Sequence, residues 1–445
     1  MSDPAPIHLA TLWRETLERS PQSLAVIEAA GAKTWTRAQL QGEVEAWLAG
    51  PAAGLPLSRR RVGLAVSNGA GWFAAFLGLL QAGAVPVLLD ASEGPERLAE
   101  QAAALGSVYL WAGAAFLTLP VKPRKTPEGL CLVKVTSGST GSPKGLPFTH
   151  AQMAADGRQI CEGMGIQETD TNFALIPLGH SYGLGNLVLP LLLQGSPVLC
   201  GSTPLPGCIA ADCAFWKPTV FPTVPTLLRA LLRSGLEAKT LSSLRLVISA
   251  GSPLAPEDAC EFVSKFSVRV HSFYGSSETG GISYDRDGEA ALTGRSVGTL
   301  LGGVSVRLAR GGRFHVTSAS VRGRGTFSPA DRGCLSKVGE LVLTGRVGRL
   351  FKIAGRRLDL AGLETEIATI LGARGVLVTV HPERPEALAA LISSRLSVRE
   401  VRVRLSEKLA AWKVPARLRV VLELPATQRG KVDRKRAFEL LAEVP

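Results

Sequence analysis

The sequence predicts an α/β protein: a large N-terminal domain of parallel βαβ sheets, a small barrel-like β subdomain and a small α+β C-terminal domain. Through roughly the first 340 residues, apolar segments of strand length alternate with longer segments of helical periodicity. This alternation is typical of βαβ units in helix-covered parallel sheets. Around 292–345 the helical segments give way to short strand-like ones. We therefore expect one domain over residues 1–346 and a second over 347–445.

The alternation can be followed element by element. Helices are predicted for LQGEVEAWLAG (40–50), WFAAFLGLLQAG (72–83), TVPTLLRALLRSG (223–235) and APEDACEFVSKF (255–266). Strands are predicted for RVGLAVS (61–67), VPVLLD (85–90), SPVLC (196–200), SLRLVISAG (243–251) and SVRVHSFYG (267–275). In the later segment, GTLLGGVSVRLAR (298–310), GRFHVTSASV (312–321) and GELVLTG (339–345) are expected to be strands of a barrel or an antiparallel sheet.

Composition indicates a compact globular chain, because 46% of the 445 residues are hydrophobic and 20% are charged. The seven cysteines form no CxxC pair, so neither a disulfide framework nor a zinc site is expected. The first residues lack the apolar core of a signal peptide. The most apolar stretch, 72–89, is interrupted by Gln81, Gly83 and Pro86, which argues against a membrane span. We expect a cytoplasmic protein.

The net charge of +13 is concentrated at the C-terminal end, where residues 346–445 hold 20 Lys and Arg against 11 Asp and Glu. Such a balance raises the question of nucleic-acid binding. However, the arginines alternate with aliphatic residues, as in VREVRVRL (398–405), and aromatic side chains that could stack on bases are few. A phosphorylated or acidic partner fits this region better than a nucleic acid.

Residues 136–145 read TSGSTGSPKG, a composition that favours neither helix nor strand. Its glycines allow close backbone approach, and its hydroxyls and Lys144 supply donors, so the segment could wrap a polyphosphate. The apolar stretch before it, LCLVKV (130–135), is expected to be a strand that leads into this loop. A P-loop of the Walker type is excluded because Gly145 follows the lysine where Ser or Thr is required. A flexible Gly/Ser turn is the alternative.

Further segments follow in a set order. They are LGLLQAGAVPVLLD (77–90), FTH (148–150), SAGSPL (249–254), FYGSSETGG (273–281), ADRG (330–333), GRVGRLFKIAGRR (345–357) and PATQRGKVDR (425–434). Together with TSGSTGSPKG they resemble the motifs of the adenylate-forming (ANL) superfamily, which contains acyl-CoA synthetases, adenylation domains and luciferase-like enzymes. The resemblance covers the chain from about residue 10 to its end.

The resemblance implies an ATP-dependent ligase that joins a carboxylate to the α-phosphate of ATP and releases pyrophosphate. It also implies a nucleotide site. Its ATP- and AMP-binding residues would be Thr136, Ser137, Gly138, Ser139, Thr140, Gly141, Lys144, Ala250, Gly251, Ser252, Tyr274, Gly275, Ser277, Asp331 and Arg346. Glu278 would hold Mg²⁺, for which a carboxylate oxygen is a suitable ligand. Asp331 would accept hydrogen bonds from the ribose hydroxyls.

By the same resemblance the catalytic residues would be Lys431, Glu278 and His180, and two further residues would line the path of the acceptor. Lys431 would bridge the substrate carboxylate and the α-phosphate, a task suited to a compact positive charge. His180, in PLGHSYG, would flank the acid site. Gly355 and Lys352 would line the tunnel of a thiol acceptor, which would be CoA or the phosphopantetheine arm of a separate acyl carrier protein. Gly348 stands where the family has an Asp or Lys hinge residue, and a glycine can supply the rotation of a mobile C-terminal lid.

The substrate is only broadly indicated. PLGHSYG (177–183) offers no carboxylate to bind a substrate ammonium, which favours an acid without an amino group. The apolar segments GLGNLVLPLLLQG (183–195) and FPTVPTLL (221–228) suit a fatty or aryl acid, although they would serve equally as core. Three alternatives stay open: amide or ester formation, release of the free acyl-adenylate, and a catalytically silent relative that binds nucleotide or acyl groups.

Overall fold

The structure is a computed structural model and describes residues 7–137, 143–346, 350–353, 356–381, 384, 387–427 and 432–443. The chain divides into two compact units. Unit 1 is Met1–Ala250, Pro256–Ser305 and Val316–Phe327, and unit 2 is Gly251–Ala255, Val306–His315 and Ser328–Pro445. The domain boundary predicted after residue 346 lies within unit 2, beside residues outside the described set, and stays a prediction.

The strands of the described residues, in chain order, are β1 (Leu24–Glu28), β2 (Lys33–Thr36), β3 (Arg61–Leu64), β4 (Val85–Leu88), β5 (Tyr109–Trp111), β6 (Phe116–Thr118), β7 (Leu130–Ser137), β8 (Pro143–Thr149), β9 (Asn172–Ala174), β10 (Val198–Cys200), β11 (Val220–Thr223), β12 (Leu246–Ser249), β13 (Val270–Ser276), β14 (Gly280–Tyr284), β15 (Thr299–Leu300), β16 (Ser305–Leu308), β17 (Phe314–Thr317), β18 (Thr326–Phe327), β19 (Asp331–Leu335), β20 (Leu341–Arg346), β21 (Leu350–Ile353), β22 (Arg356–Asp359), β23 (Gly375–Val380), β24 (Leu388–Ser393) and β25 (Arg417–Val421).

The α-helices are α1 (Leu9–Arg19), α2 (Arg37–Ala49), α3 (Ala70–Gln81), α4 (Pro95–Ala104), α5 (His150–Met164), α6 (Ser181–Gly183), α7 (Leu189–Gln194), α8 (Pro206–Trp216), α9 (Pro225–Arg233), α10 (Pro256–Phe266), α11 (Glu289–Thr293), α12 (Leu360–Leu371), α13 (Val398–Lys408) and α14 (Arg434–Ala442). A π-helical turn at Leu184–Val188 joins α6 to α7. Among these described residues no helix is both long and apolar enough to cross a bilayer.

Unit 1 contains a nine-stranded sheet in the order β15-β14-β13-β12-β11-β9-β10-β1-β2. From β13 to β1 neighbouring strands pair in parallel, and the outer pairs are antiparallel. Every residue of β11 and β12 is buried, as expected for strands with both faces covered. Because parallel strands end at the same edge, the segments that follow β12 and β13 leave the sheet at one edge.

A second sheet of unit 1 has six strands in the order β6-β5-β3-β4-β7-β8. The strands β5, β3, β4 and β7 pair in parallel, and β6 and β8 close the edges in antiparallel pairs. The helix α5 is capped by Thr149, whose side chain accepts a hydrogen bond from the Gln152 amide in a capping box. This cap starts a helix directly at the end of β8.

Unit 2 ends in the α+β fold that the sequence predicts. Its sheet has the order β23-β24-β25, and alternate residues of β24 face opposite sides. Ala390 and Ile392 pack in a cluster with α12 and α13, whereas Leu391 packs in a cluster with α14. Helices therefore cover both faces of this small sheet.

The predicted helices are confirmed as α2, α3, α9 and α10, and the predicted strands as β3, β4, β10, β12 and β13. The later β-rich segment forms short antiparallel pairs, with β17 against β18 and β19 against β20, in place of a single barrel. These pairs are held by ladders of only a few residues each.

A pair of histidines joins the N-terminal helix to α5. The rings of His8 and His150 lie with centroids 3.6 Å apart, and the Nδ1 of His150 accepts a hydrogen bond from the Leu9 amide at 3.2 Å. Burial, and then the neighbouring His8, lower the pKa of His150 to about 3. Both rings are therefore neutral in the folded protein at neutral pH.

This pair predicts acid sensitivity. An unfolded histidine has a pKa near 6.5, so below that pH the unfolded chain binds the additional proton, and the free energy of unfolding falls as pH decreases. We expect a loss of about 1–2 kcal/mol by pH 5. Urea unfolding at pH 7.5, 6.5 and 5 should show a steeper decline for the wild type than for His150→Gln. An equal decline of the free energy of unfolding in both proteins would show that His150 is not the source of the acid sensitivity.

Candidate active site

The predicted phosphate loop is flanked by paired strands. β7 and β8 place Thr136 opposite Lys144 and Ser137 opposite Pro143. The prediction that residues 136–145 form no strand is therefore wrong at both ends, because the ladder between two apolar strands overrides local propensity. Lys144 is exposed at the start of β8. The tip of the loop, with Gly138, Ser139, Thr140 and Gly141, lies outside the described residues.

Glu278 lies on the tight turn between β13 and β14. The Thr279 amide donates to the Ser276 carbonyl at 3.3 Å, and the Ser276 amide donates to the Thr279 hydroxyl at 3.2 Å. Gly280 leaves the turn with φ +73°, a conformation that favours glycine. Glu278 is half-buried there, at the sheet edge where the parallel strands end.

The backbone of this turn is held from two directions. The Arg322 amide donates to the Glu278 carbonyl at 3.0 Å, and the Ser320 hydroxyl donates to the Thr279 carbonyl at 2.8 Å. From α5, an Asp156 carboxylate oxygen accepts the Gly281 amide at 2.9 Å. The carboxylate of Glu278 is thus presented by a preorganised backbone.

The segment that carries His180 contacts the same turn. The Ser181 hydroxyl donates to the Ser277 hydroxyl at 3.0 Å, next to Glu278. The Tyr182 hydroxyl donates to the Ile248 carbonyl of β12 at 2.9 Å. Burial raises the pKa of Tyr182 well above its usual value, so the phenol keeps its proton. His180 is half-buried at the start of α6, and the structure brings its segment to the motif turn.

Asn68 supports this segment from the six-stranded side. Its side-chain oxygen accepts the Leu178 amide at 3.0 Å, and its amide nitrogen donates to the Ile176 carbonyl at 2.9 Å. Both contacts lie within four residues of His180. Asn68 therefore fixes the backbone that leads to the predicted acid site.

The predicted adenine-binding residues follow β12 and lie on β13. Ala250 is buried, and its amide donates to the Thr223 carbonyl at 3.2 Å. Gly251, with φ +86°, and the half-buried Ser252 come next in the chain. Tyr274 is half-buried on β13, directly before Gly275. A β-carbon at Gly275 would lie 2.4 Å from the Gly280 carbonyl oxygen, so the turn requires glycine there.

In unit 2 the antiparallel pair β19–β20 places Asp331 opposite Arg346. Asp331 is half-buried at the first position of its strand. The predicted ribose ligand and the predicted hinge arginine therefore share one ladder. Lys352 lies on β21, and its side chain, like that of Arg346, is outside the described set. Gly348, Gly355 and Lys431 also lie outside the described residues.

Glu278 is the acidic residue of this turn that could contact a magnesium ion. Among the described residues, no group of three or more His, Cys, Asp or Glu side chains is arranged to hold a metal. Mg²⁺ in nucleotide enzymes is commonly bound by one or two carboxylates together with substrate phosphates. Glu278 provides one such carboxylate beside the strand turn.

Sequence reasoning missed three polar residues of this region: Lys134, Asp156 and Asn68. Lys134 and Asp156 are buried with 1% and 2% of their side chains exposed. The signal for Lys134 was a single charge within the apolar strand segment LCLVKV. Charged residues are almost never fully buried unless they are paired. A lysine in a buried strand therefore indicates an acidic partner, but the sequence does not show which residue that is.

The chain is similar to several known proteins. The family model described as AMP-binding enzyme matches residues 110–313. The benzoate–CoA ligase of Thauera aromatica is 26% identical over 347 residues, covering 69% of this chain and 65% of that protein. A feruloyl-CoA synthase of an Amycolatopsis species is 26% identical, covering 70% of each protein. The chain thus spans about two thirds of the length of these relatives.

Solved structures share the fold. The crystal structure of ATP-bound MatB from Rhodopseudomonas palustris has a TM-score of 0.79 at 22% identity, covering 97% of this chain and 98% of that one. At this identity the likeness concerns the fold alone. It agrees with the prediction of an α/β protein with large parallel-containing sheets and a smaller α+β region.

Proposed function

We propose that the chain, which matches the family model of AMP-binding enzymes over residues 110–313 and resembles the adenylate-forming superfamily in its motifs, is an ATP-dependent, AMP-forming ligase that activates a carboxylic acid and transfers the acyl group to a thiol. In the first step a carboxylate oxygen bonds to the α-phosphorus and the bond to pyrophosphate breaks. In the second step the thiol sulfur bonds to the acyl carbon, AMP leaves and the thiol proton is lost.

One observation carries this proposal: the paired strands that flank the phosphate loop and the braced turn that carries Glu278 belong to one compact unit. Polyphosphate binding requires donors and positive charge, which the loop hydroxyls and Lys144 supply. Glu278 would hold Mg²⁺, which neutralises phosphate charge when bound. His180, on the segment that touches Ser277, would face the acid.

Further nucleotide contacts are proposed for residues of the C-terminal part of the chain. Asp331 would accept the ribose hydroxyls, and Arg346, opposite it on the ladder, would reach the ribose or phosphate. Lys431 would neutralise the two anions that approach each other in the first step. We propose that residues 347–445 move as a lid about Gly348, after which Gly355 and Lys352 would line the path of the thiol.

The proposed substrate is an aryl or fatty acid. The apolar residues of α7 and of the π-helical turn before it are buried beside the His180 segment. The two relatives named above are a benzoate–CoA ligase and a feruloyl-CoA synthase, so aryl acids are the first to test. The acceptor would be CoA or a carrier-bound phosphopantetheine, because the excess of positive charge in 346–445 suits phosphates or an acidic carrier protein.

Pyrophosphate exchange tests the activation step. We expect incorporation of labelled pyrophosphate into ATP that depends on Mg²⁺ and on one class of acid in a panel of benzoates, cinnamates, short and long fatty acids and amino acids. Incubation with CoA, a carrier protein or simple amines then identifies the acceptor. Failure of every acid would refute the ligase proposal, and failure of every thiol after successful exchange would refute thioester formation.

A further inference from the structure

A buried ion pair lies behind the proposed nucleotide site. The Lys134 ammonium on β7 is 3.7 Å from an Asp156 carboxylate oxygen on α5, and the two side chains are 1% and 2% exposed. The ammonium also lies 4.4 Å from the centroid of the Phe148 ring. Removing two charges from water costs several kcal/mol per ion, on the order of what their attraction returns. Stability alone therefore does not explain why this pair is present.

Asp156 has a second partner on the motif turn. Its other carboxylate oxygen accepts the Gly281 amide at 2.9 Å. The carboxylate lies close to the backbone of Gly280, since a β-carbon at that residue would be 2.2 Å from the same oxygen. The carboxylate therefore fixes the backbone at Gly281, three residues after Glu278, where the chain leaves the turn.

Lys134 connects this carboxylate to the phosphate loop. It lies on β7, two residues before Thr136, which pairs with Lys144 across the hairpin. β7 belongs to the six-stranded sheet and β14, which begins at Gly280, to the nine-stranded sheet. The contacts from Lys134 through Asp156 to Gly281 thus join the strand that enters the loop to the turn that presents Glu278.

The charges agree with this connection. Burial lowers the pKa of Lys134, whereas the negative charge of Asp156 and, more weakly, that of Glu278 raise it. The ammonium is therefore within electrostatic reach of both carboxylates. Neutralising either partner of the pair would alter the field at Glu278 as well as the position of its turn.

We propose that Lys134 and Asp156 are positioning residues for the adenylation step, which hold the Glu278 turn in register with the phosphate loop so that Mg²⁺ and the phosphates of ATP are bound together. The proposal rests on the function proposed above. We expect neither side chain to touch the substrate, because both are almost completely buried. Their effect is exerted through the backbone of Gly281 and through β7.

The test uses Asp156→Asn, Lys134→Met and the double variant Lys134→Met/Asp156→Asn. The asparagine keeps an oxygen that can accept the Gly281 amide but removes the charge that pairs with Lys134. The matched control is Asp258→Asn, which removes a fully buried carboxylate whose oxygen lies 3.2 Å from Arg229 on α9, another element of unit 1. Both substitutions disturb a buried ion pair, and only the first lies at the turn.

Two measurements are made on the full chain. The first is the Mg²⁺ concentration that gives half of the ATP-dependent rise in unfolding temperature. This measurement is made without the carboxylic acid substrate. The second is the Mg²⁺ dependence of pyrophosphate exchange. For Asp156→Asn and Lys134→Met we expect the half-saturating Mg²⁺ concentration to rise about 10- to 100-fold, as for partners that orient metal ligands. The KM for the acid should stay unchanged, and Asp258→Asn should keep the wild-type Mg²⁺ dependence.

The double variant separates positioning from stability. Replacing both charges by neutral groups should recover much of the unfolding temperature lost in the single variants, whereas the weakened Mg²⁺ dependence should persist. The proposal would be overturned if a folded double variant kept the wild-type Mg²⁺ dependence. It would also be overturned if Asp258→Asn showed the same rise in half-saturating Mg²⁺ concentration as Asp156→Asn. If the wild type binds ATP and Mg²⁺ but exchanges no pyrophosphate, the ligase function fails while the positioning role is still tested. Absence of any ATP-dependent rise in the wild type would overturn both.

Discussion

Replacing Lys431 by Ala should abolish measurable pyrophosphate exchange, with a loss of at least about 10²–10³-fold in rate, the effect of removing one preorganised donor to a developing charge. The ammonium would be the group that offsets repulsion between the substrate carboxylate and the α-phosphate. Transfer of the acyl group from chemically prepared acyl-adenylate to the thiol should be nearly unaffected, because the phosphorus is no longer attacked in that step.

The control for this variant is Lys435→Ala, which removes an exposed lysine four residues further along, on α14. It should exchange pyrophosphate at the wild-type rate, since a general loss of positive charge at the C-terminus is not the proposed cause. An equal loss of exchange and of thiol transfer in Lys431→Ala would show that the lysine has another role.

Glu278→Gln should lower the rate of exchange about 100-fold or more at low Mg²⁺, with partial recovery as the Mg²⁺ concentration is raised. A neutral amide keeps the size of the side chain and the backbone contacts of the turn with Arg322 and Asp156. It removes the negative charge that a small, hard cation requires. The measurement is the exchange rate against Mg²⁺ at fixed ATP.

Glu289→Gln makes the same chemical change on the surface, where Glu289 pairs with Arg269. Surface pairs of this kind contribute little, so its Mg²⁺ curve should overlie that of the wild type. A Glu278→Gln curve with unchanged Mg²⁺ dependence, whatever its maximum, would exclude Glu278 as the metal ligand.

The fold could be predicted to a large extent from local patterns. α3 and α9 carry continuous or periodic apolar residues bounded by Gly or Pro, and β12 is a short, fully buried segment whose first three residues are apolar. These signals lie within one element, so a single sequence reveals them. The predicted strand over 130–135 is confirmed as β7, but its last residues and the start of β8 were missed, because Thr136 and Lys144 gain strand structure from each other across the hairpin, which no local window contains.

The same distinction between local and long-range signals applies to the residues of the candidate site. Glu278 and its neighbours lie in one motif, and the turn they form is held partly by the motif's own residues, Ser276 and Thr279. Asn68, Lys134 and Asp156 act on partners in other elements, up to 125 residues away in the case of Asp156 and Gly281. Their side chains are ordinary in sequence, and only the packing of two sheets around α5 gives them a role.

The crowding at Gly280 has a practical consequence for protein engineering. Since a methyl group there would collide with the Asp156 carboxylate, libraries that randomise the segment 276–281 to change metal or nucleotide preference would lose most members that alter this codon. Diversity is better directed to Ser277, a half-buried residue whose hydroxyl accepts a hydrogen bond from that of Ser181. A selection experiment would then test variants with altered metal or nucleotide preference while the backbone of the Glu278 turn stays intact.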